Sequence, residues 1–115
     1  MAPHHIDVGV LAESRAAEYL GALGYEVLER NFRAKCGELD LIARDGDTIV
    51  FVEVRARNHA GYGSAAETVD FRKRRKLVNT ARLYALVRGL DCPMRFDVIG
   101  IEPGRLEHVT SAFEA

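Results

Sequence analysis

Four carboxylates in the first half of the chain, Glu13, Glu38, Asp40 and Glu53, are spaced so that they can meet. Alternation over residues 48–57 puts Ile49, Phe51, Glu53, Arg55 and Arg57 on one face of a strand and Val50, Val52, Val54 and Ala56 on the other. In the preceding segment Glu38, Asp40 and Ile42 share a face, and Leu39, Leu41 and Ala43 take the opposite one. Between them Asp45-Gly46-Asp47 is a hairpin signal. With Gly46-Asp47 as a type II′ turn, Arg44 pairs with Ile49 and Asp40 falls opposite Glu53. With Asp45-Gly46 as a type I′ turn, Glu38 faces Glu53 and Asp40 becomes its diagonal neighbour. Either register leaves Asp40 and Glu53 on one face, with Cβ atoms roughly 5–8 Å apart. Carboxylates at that distance repel unless a cation lies between them. Their hard oxygen atoms suit Mg²⁺ or Mn²⁺, with coordination positions left for water and a phosphate. Glu13 lies about 100° around a helix from Ala12, on the border of its apolar stripe, where it can supply a third ligand. The plainer alternative is a solvated Glu13, with Asp40 and Glu53 simply paired to Arg55 and Arg57.

Positioning these groups requires a sheet with helices packed on it. A helix over 8–23, capped by Asp7, carries Ala12, Ala16, Tyr19, Leu20 and Leu23 on one stripe and stops at Gly24. Strands are expected over 25–32, 37–44 and 48–57. A loop over 58–64, holding His59, Gly61, Tyr62 and Gly63, leads into a long helix over 65–88 that Gly89 ends. A strand over 94–101, a Pro103-Gly104 turn and a short strand over 105–110 complete the chain. The order is αβββαββ, an α/β fold with a sheet flanked by helices. One domain spans 1–115, with 1–7 and 114–115 as flexible ends.

The chain has 115 residues, 48% hydrophobic and 29% charged, ordinary values for one globular domain. Its 16 basic side chains against 17 acidic ones conceal a segregation, because residues 71–90 hold seven cations and no anion. On the second helix Leu77, Ala81, Tyr84 and Val87/Arg88 follow the core spacing, with Val69 and Lys73 on the same line. Arg72, Arg74, Arg75, Lys76 and Arg82 spread over the remaining surface. Such a segment suits an anionic partner, although a solvated helix face has the same composition. Candidate nucleic-acid contacts are Arg57, Arg72, Lys73, Arg75 and Lys76. Arg95 and Asp97 share a strand face and are expected to pair. No apolar run approaches the ~20 residues of a membrane helix. The start has no cationic stretch followed by an apolar block, so a cytoplasmic location is expected. Cys36 and Cys92 form no CxxC motif, and the four histidines have no zinc-site spacing.

Gly37-Glu38-x-Asp40-Leu-Ile-Ala, followed by Phe51-Val-Glu53-Val-Arg55-x-Arg57, resembles the PD-(D/E)xK nuclease core. The chain from about residue 9 to 113 resembles the YraN family, small bacterial proteins related to Holliday-junction resolvases. Gly9-x₃-Glu13-x₂-Ala16, Gly24-Tyr25-x-Val27-Leu28-x-Arg30-Asn31, Gly63-x₃-Glu67-x-Val69-x₃-Lys73, Arg95-Phe-Asp-Val-Ile and Ala112-Phe113 carry that resemblance. It implies a restriction-endonuclease-like fold and a metal-dependent endonuclease, structure-selective on DNA. Mg²⁺ or Mn²⁺ would be held by Asp40 and Glu53 with help from Glu13. By analogy with the resolvases it also implies a homodimer. Arg55 stands where nucleases of this type usually have Lys. A guanidinium stays protonated, so Arg55 is expected to hold the scissile phosphate rather than activate water. Lys73 is a weaker candidate stand-in, with a solvated helix lysine as the plainer alternative. The rival expectation is a nucleic-acid-binding module that kept the fold and lost efficient chemistry.

Overall fold

The computed structural model describes residues 8–57 and 64–115. Helix α1 spans Val8–Ala22, followed by strands β1 (Glu26–Ala34), β2 (Gly37–Asp45) and β3 (Thr48–Ala56). A 3₁₀ turn over Ala65–Thr68 precedes α2 (Phe71–Arg88), and β4 (Met94–Glu102) and β5 (Arg105–Phe113) close the chain. The five strands form one mixed sheet in the order β1-β2-β3-β4-β5. All neighbours are antiparallel except β3 and β4, which run parallel because the chain crosses over through the 3₁₀ turn and α2.

The two helices lie on opposite faces of the sheet. Ala12, Ala16, Ala17 and Leu20 of α1 pack on Leu41, Ala43, Val50, Val52 and Ile99. Leu77, Val78, Ala81 and Tyr84 of α2 pack on Ile42, Ile49, Phe51, Phe96 and Val98. Strands β3 and β4 are covered on both sides, which is why both read as near-continuous apolar runs. The 3₁₀ turn is drawn tightly onto β4: a Cβ on Gly100 would overlap the side chain of Ala65.

Several expected boundaries move. The helix expected over 65–88 is interrupted at Val69, which is extended (φ −95°, ψ 98°). Asp70 then caps a new helix, its Oδ1 accepting a hydrogen bond from Lys73 N at 2.8 Å. The element order therefore includes a 3₁₀ turn between β3 and α2, and αβββαββ is corrected accordingly. Leu23, expected on the α1 stripe, is 52% exposed, and Ala17 is buried instead. Val87 and Arg88 are exposed, although Arg88 still reaches Glu29 of β1 at 2.6 Å. Strand β5 runs three residues beyond 110, so that Phe113 stacks on Phe96 at 4.9 Å. Asp7 and the other residues of 1–7, together with 58–63 (His59, Gly61, Tyr62 and Gly63 among them), lie outside the described residues.

The largest departure concerns the alternation of β2. Leu39 was expected on the face of Leu41 and Ala43, yet it packs on the α2 side with Ile42. Residues two apart thus lie on opposite faces, and the alternation reverses at Asp40. Strand β1 reverses with it. Opposite Leu39, Phe32 packs on the α2 side, whereas Arg30, opposite Leu41, reaches Ser14 of α1 at 3.3 Å. The residue between them, Asn31, has φ 53°, a left-handed conformation that an Asn tolerates better than most residues.

Candidate functional site

The hairpin adopts the first of the two expected registers. Arg44 pairs with Ile49 and Asp45 with Thr48, leaving Gly46-Asp47 as the turn, with Gly46 at φ 63°. The β2–β3 ladder continues to Leu41 and Val52 and stops there. The next position belongs to Asp40 and Glu53. Instead of a backbone partner, the Val54 N–H donates to Asp40 Oδ2 at 2.8 Å. The reversal at Asp40 has therefore released this residue from the ladder and set its side chain into the fork between two diverging strands.

The fork buries two carboxyl groups side by side. Burial, then the charge of Glu53 and a hydrogen bond shared with it, push the Asp40 carboxyl up to about 7; the Val54 N–H and the Lys73 ammonium only partly oppose this. Glu53 is 5% exposed. Its Oε2 lies 3.4 Å from Arg55 Nη2 and 3.6 Å from Lys73 Nζ of α2. Among the described residues its buried Oε1 receives no N–H donor, and the buried Nε of Arg55 finds no acceptor. Glu13 approaches from α1, where burial, followed by the charge of Asp40, raises its carboxyl above the usual range. A hydrogen bond from Asn31 and the charge of Arg30 work the other way. Asn31 thus links the reversed strands to the Glu13 carboxylate. Among the described residues, no three His, Cys, Asp or Glu side chains close into one ligand cluster. The tight unit is the Asp40–Glu53 pair, with Glu13 as a neighbour of Asp40.

The remaining candidates fall into three groups. Glu38 forms an exposed ion pair with Arg33 at 3.5 Å and contributes charge near Glu13. Arg57, expected to face a phosphate, lies against Glu102 (3.6 Å) and Glu107 (3.8 Å) and is mostly buried. Glu107 also accepts from the Ala65 backbone N–H at 2.7 Å, so Arg57 belongs to the clamp holding the 3₁₀ turn on the sheet. Arg72, Arg75 and Lys76 are exposed on α2 and have no carboxylate partner among the described residues. Lys73 is the member of the basic segment that reaches the carboxylates, since its position on α2 leans toward the sheet.

A second polar cluster lies on the α1 side of the sheet. Arg95 and Asp97 pair at 3.0 Å, as expected. The rest was not anticipated. Asp97 Oδ2 lies 2.8 Å from His108 Nε2, and Oδ1 accepts from Ser111 N at 3.0 Å. His108 Nδ1 meets the Tyr19 hydroxyl at 3.0 Å, and Arg95 reaches Asp45 (3.1 Å) and the Tyr25 hydroxyl (2.6 Å). Burial would push the Asp97 carboxyl up, but the bonds from His108, Arg95 and Ser111 outweigh it and hold it below the usual range. The sequence signal for His108 was the two-residue period of β5, which aims it at the same face as Asp97.

Residues 12–101 match the model of a family described as "Uncharacterised protein family UPF0102". A UPF0102 protein of Persephonella marina is 45% identical over 107 residues, covering 92% of each chain. One from Pseudomonas savastanoi pv. phaseolicola is 49% identical over 112 residues, covering 90% of each. Another from Chromohalobacter salexigens is 46% identical over 111 residues, covering 93% of this chain and 90% of its own.

Proposed function

Because the chain belongs to the UPF0102 family, the one its sequence resembled under the name YraN, we propose that it is a metal-dependent endonuclease. It has the restriction-endonuclease-like architecture and hydrolyses nucleic-acid phosphodiesters, selecting DNA by structure. The observation that carries this reading is the forked hairpin. There a buried Glu53 oxygen that receives no N–H among the described residues stands beside an Asp40 carboxyl pushed up to about 7. A divalent cation satisfies both at once, so the donor set fits Mg²⁺ or Mn²⁺. Asp40 and Glu53 would hold it, with Glu13 beside them. Bound there, it supplies Lewis acidity toward a phosphoryl oxygen and toward water.

The chain's own residues then divide the work. Arg55 presents a permanent positive charge that binds the scissile phosphate and steadies charge developing on it. Lys73 places an ammonium at the same carboxylate from the opposite element. The lysine that β3 lacks at position 55 is thus offered by α2. Arg72, Arg75 and Lys76 extend the positive field along the helix toward neighbouring phosphates.

The test is cleavage of branched, flapped and linear DNA with Mn²⁺, together with calorimetric titration of the ion. Wild type should bind Mn²⁺ and cleave. Asp40→Ala should lose both, and Lys73→Ala should lose cleavage by ~10²-fold or more while still binding the ion. Heat of binding absent from wild type would sink the metal reading. Salt-sensitive binding to DNA without cleavage would favour the binding module, whose support is Arg55; Arg55→Lys would then be expected to restore cleavage.

A further inference from the structure

On the far side of α2 from Lys73, Phe71 is 74% exposed, the second most exposed large apolar side chain of the described residues. The Arg75 guanidinium lies over its ring at 5.9 Å. Phe71, Arg75, Val78 and Arg82 recur at helical spacing and line one wall of a groove of about 590 Å³. Phe113, at the end of β5, lines the opposite wall, with Arg74 over its ring at 5.4 Å. The groove continues past Val78 and Arg82 into a cleft of about 530 Å³ that reaches Phe51 and Phe96. Three guanidinium groups, Arg74, Arg75 and Arg82, line the groove, and Glu114 is its one acidic side chain among the described residues. Arg82 has no acidic partner among the described residues.

We propose that this groove is a subsite for an unpaired nucleic-acid strand, with a base stacked on Phe71 and phosphates on Arg75 and Arg82. The proposal rests on the nuclease reading for one thing, the place of the scissile phosphate at Glu53 and Lys73. A strand leaving that point has only to round the first turn of α2, about 10–12 Å across with its side chains, so its next few nucleotides reach Phe71. Arg75 and Arg82 are seven residues apart, about 10 Å along the helix, and can follow the backbone while bases face the apolar wall. Charge complementarity calls for a polyanion, and the flat pairing of ring and guanidinium calls for π-faces. A single strand has both; a duplex hides its base faces within the stack. The chemistry of the groove therefore selects substrates that have an unpaired segment next to the cleavage point.

The experiment is fluorescence anisotropy of the full chain with a labelled oligothymidylate and with a duplex of equal length, in EDTA. Without divalent cations, binding is read whether or not the protein cleaves. Failure of the nuclease reading would appear as absence of cleavage with Mn²⁺, independently of this assay. Wild type should bind the single strand more tightly than the duplex. Phe71→Ala should weaken single-strand binding about tenfold and leave duplex binding within twofold, while Phe71→Tyr retains affinity. Arg82→Glu should weaken it further and flatten its salt dependence by about one phosphate contact. Photocrosslinking with 5-iododeoxyuridine in the strand should label Phe71. Equal losses for both DNAs, no loss, no single-strand binding, or displacement of the strand by an acidic aromatic peptide at lower concentration would each overturn the proposal.

Discussion

Two buried carboxylates on neighbouring strands of one sheet, Asp97 on β4 and Glu53 on β3, have opposite environments. Asp97 is 0% exposed and completely answered, by His108, Arg95 and a backbone N–H, with Tyr19, Tyr25 and Asp45 extending the network. Asp40 and Glu53 share their fork with few donors, and one Glu53 oxygen has no N–H donor among the described residues. A satisfied network of that kind joins α1 and β5 to the sheet and contributes stability. An unsatisfied one spends stability to keep a place for something else. The difference separates two clusters of similar composition: both contain acids and cations, and of the two only the fork leaves a buried carboxylate oxygen without an N–H donor among the described residues.

Removing the satisfied acid should have the largest effect. Asp97→Ala leaves Arg95 and His108 facing an emptied buried site and should cost about 3–5 kcal/mol, a drop of at least about 10 °C in Tm by calorimetry. A drop of a degree or two would erase the contrast. Next comes the response to metal. At pH 8 and a hundredfold excess over its Kd, Mn²⁺ should add about 2.7 kcal/mol to wild-type stability and nothing to Asp40→Asn. Asp40→Asn without metal should itself stabilise the protein at pH 8, by about 1–2 kcal/mol, because it removes repulsion yet keeps the oxygen that accepts from Val54 N–H.

That gain has a definite pH signature. The folded-state value of Asp40 lies above its unfolded one, so the native state binds the proton more tightly. Its penalty is absent below about pH 4, grows as the pH rises and is complete above about 7. Asp97 is the reverse: its folded value is lowered, so its contribution is present above about pH 4 and is lost as the pH falls further. The Asp40→Asn gain in Tm should therefore vanish at pH 4, while wild type loses Asp97's contribution below that point. The smallest expected effect is Arg33→Ala. It breaks only the exposed pair with Glu38 and should change stability by less than about 0.5 kcal/mol in a urea melt.

The strands, the hairpin and both helices were legible because their side-chain periods are strong and because Gly46 and Gly89 mark real left-handed positions. Asp40 and Glu53 were legible as a pair because both hairpin registers kept them together. Their fork was not, since it depends on an Asn at positive φ and a strand reversal that no period in the sequence announces. The break at Val69 was missed although Asp70, followed three residues later by the Lys73 N–H it caps, is an ordinary helix-start signal. The Asp97 cluster needs Tyr19, Asp45 and His108, which are far apart in the chain and meet only once α1 and β5 flank the same face.

The parallel pairing of β3 with β4, which sets Ile49 beside Met94, has a further consequence for how the protein reaches this state. The β1–β2–β3 meander closes through short turns, but β4 can join only after the chain has gathered the whole crossover that contains α2. The carboxylate hairpin closes through local contacts, whereas Lys73 meets it only once the crossover is in place. Until then the acidic fork stays open to solvent, and the repulsion between Asp40 and Glu53 is felt chiefly on the native side of the folding barrier. Substitutions at Asp40 should accordingly alter the unfolding rate more than the folding rate.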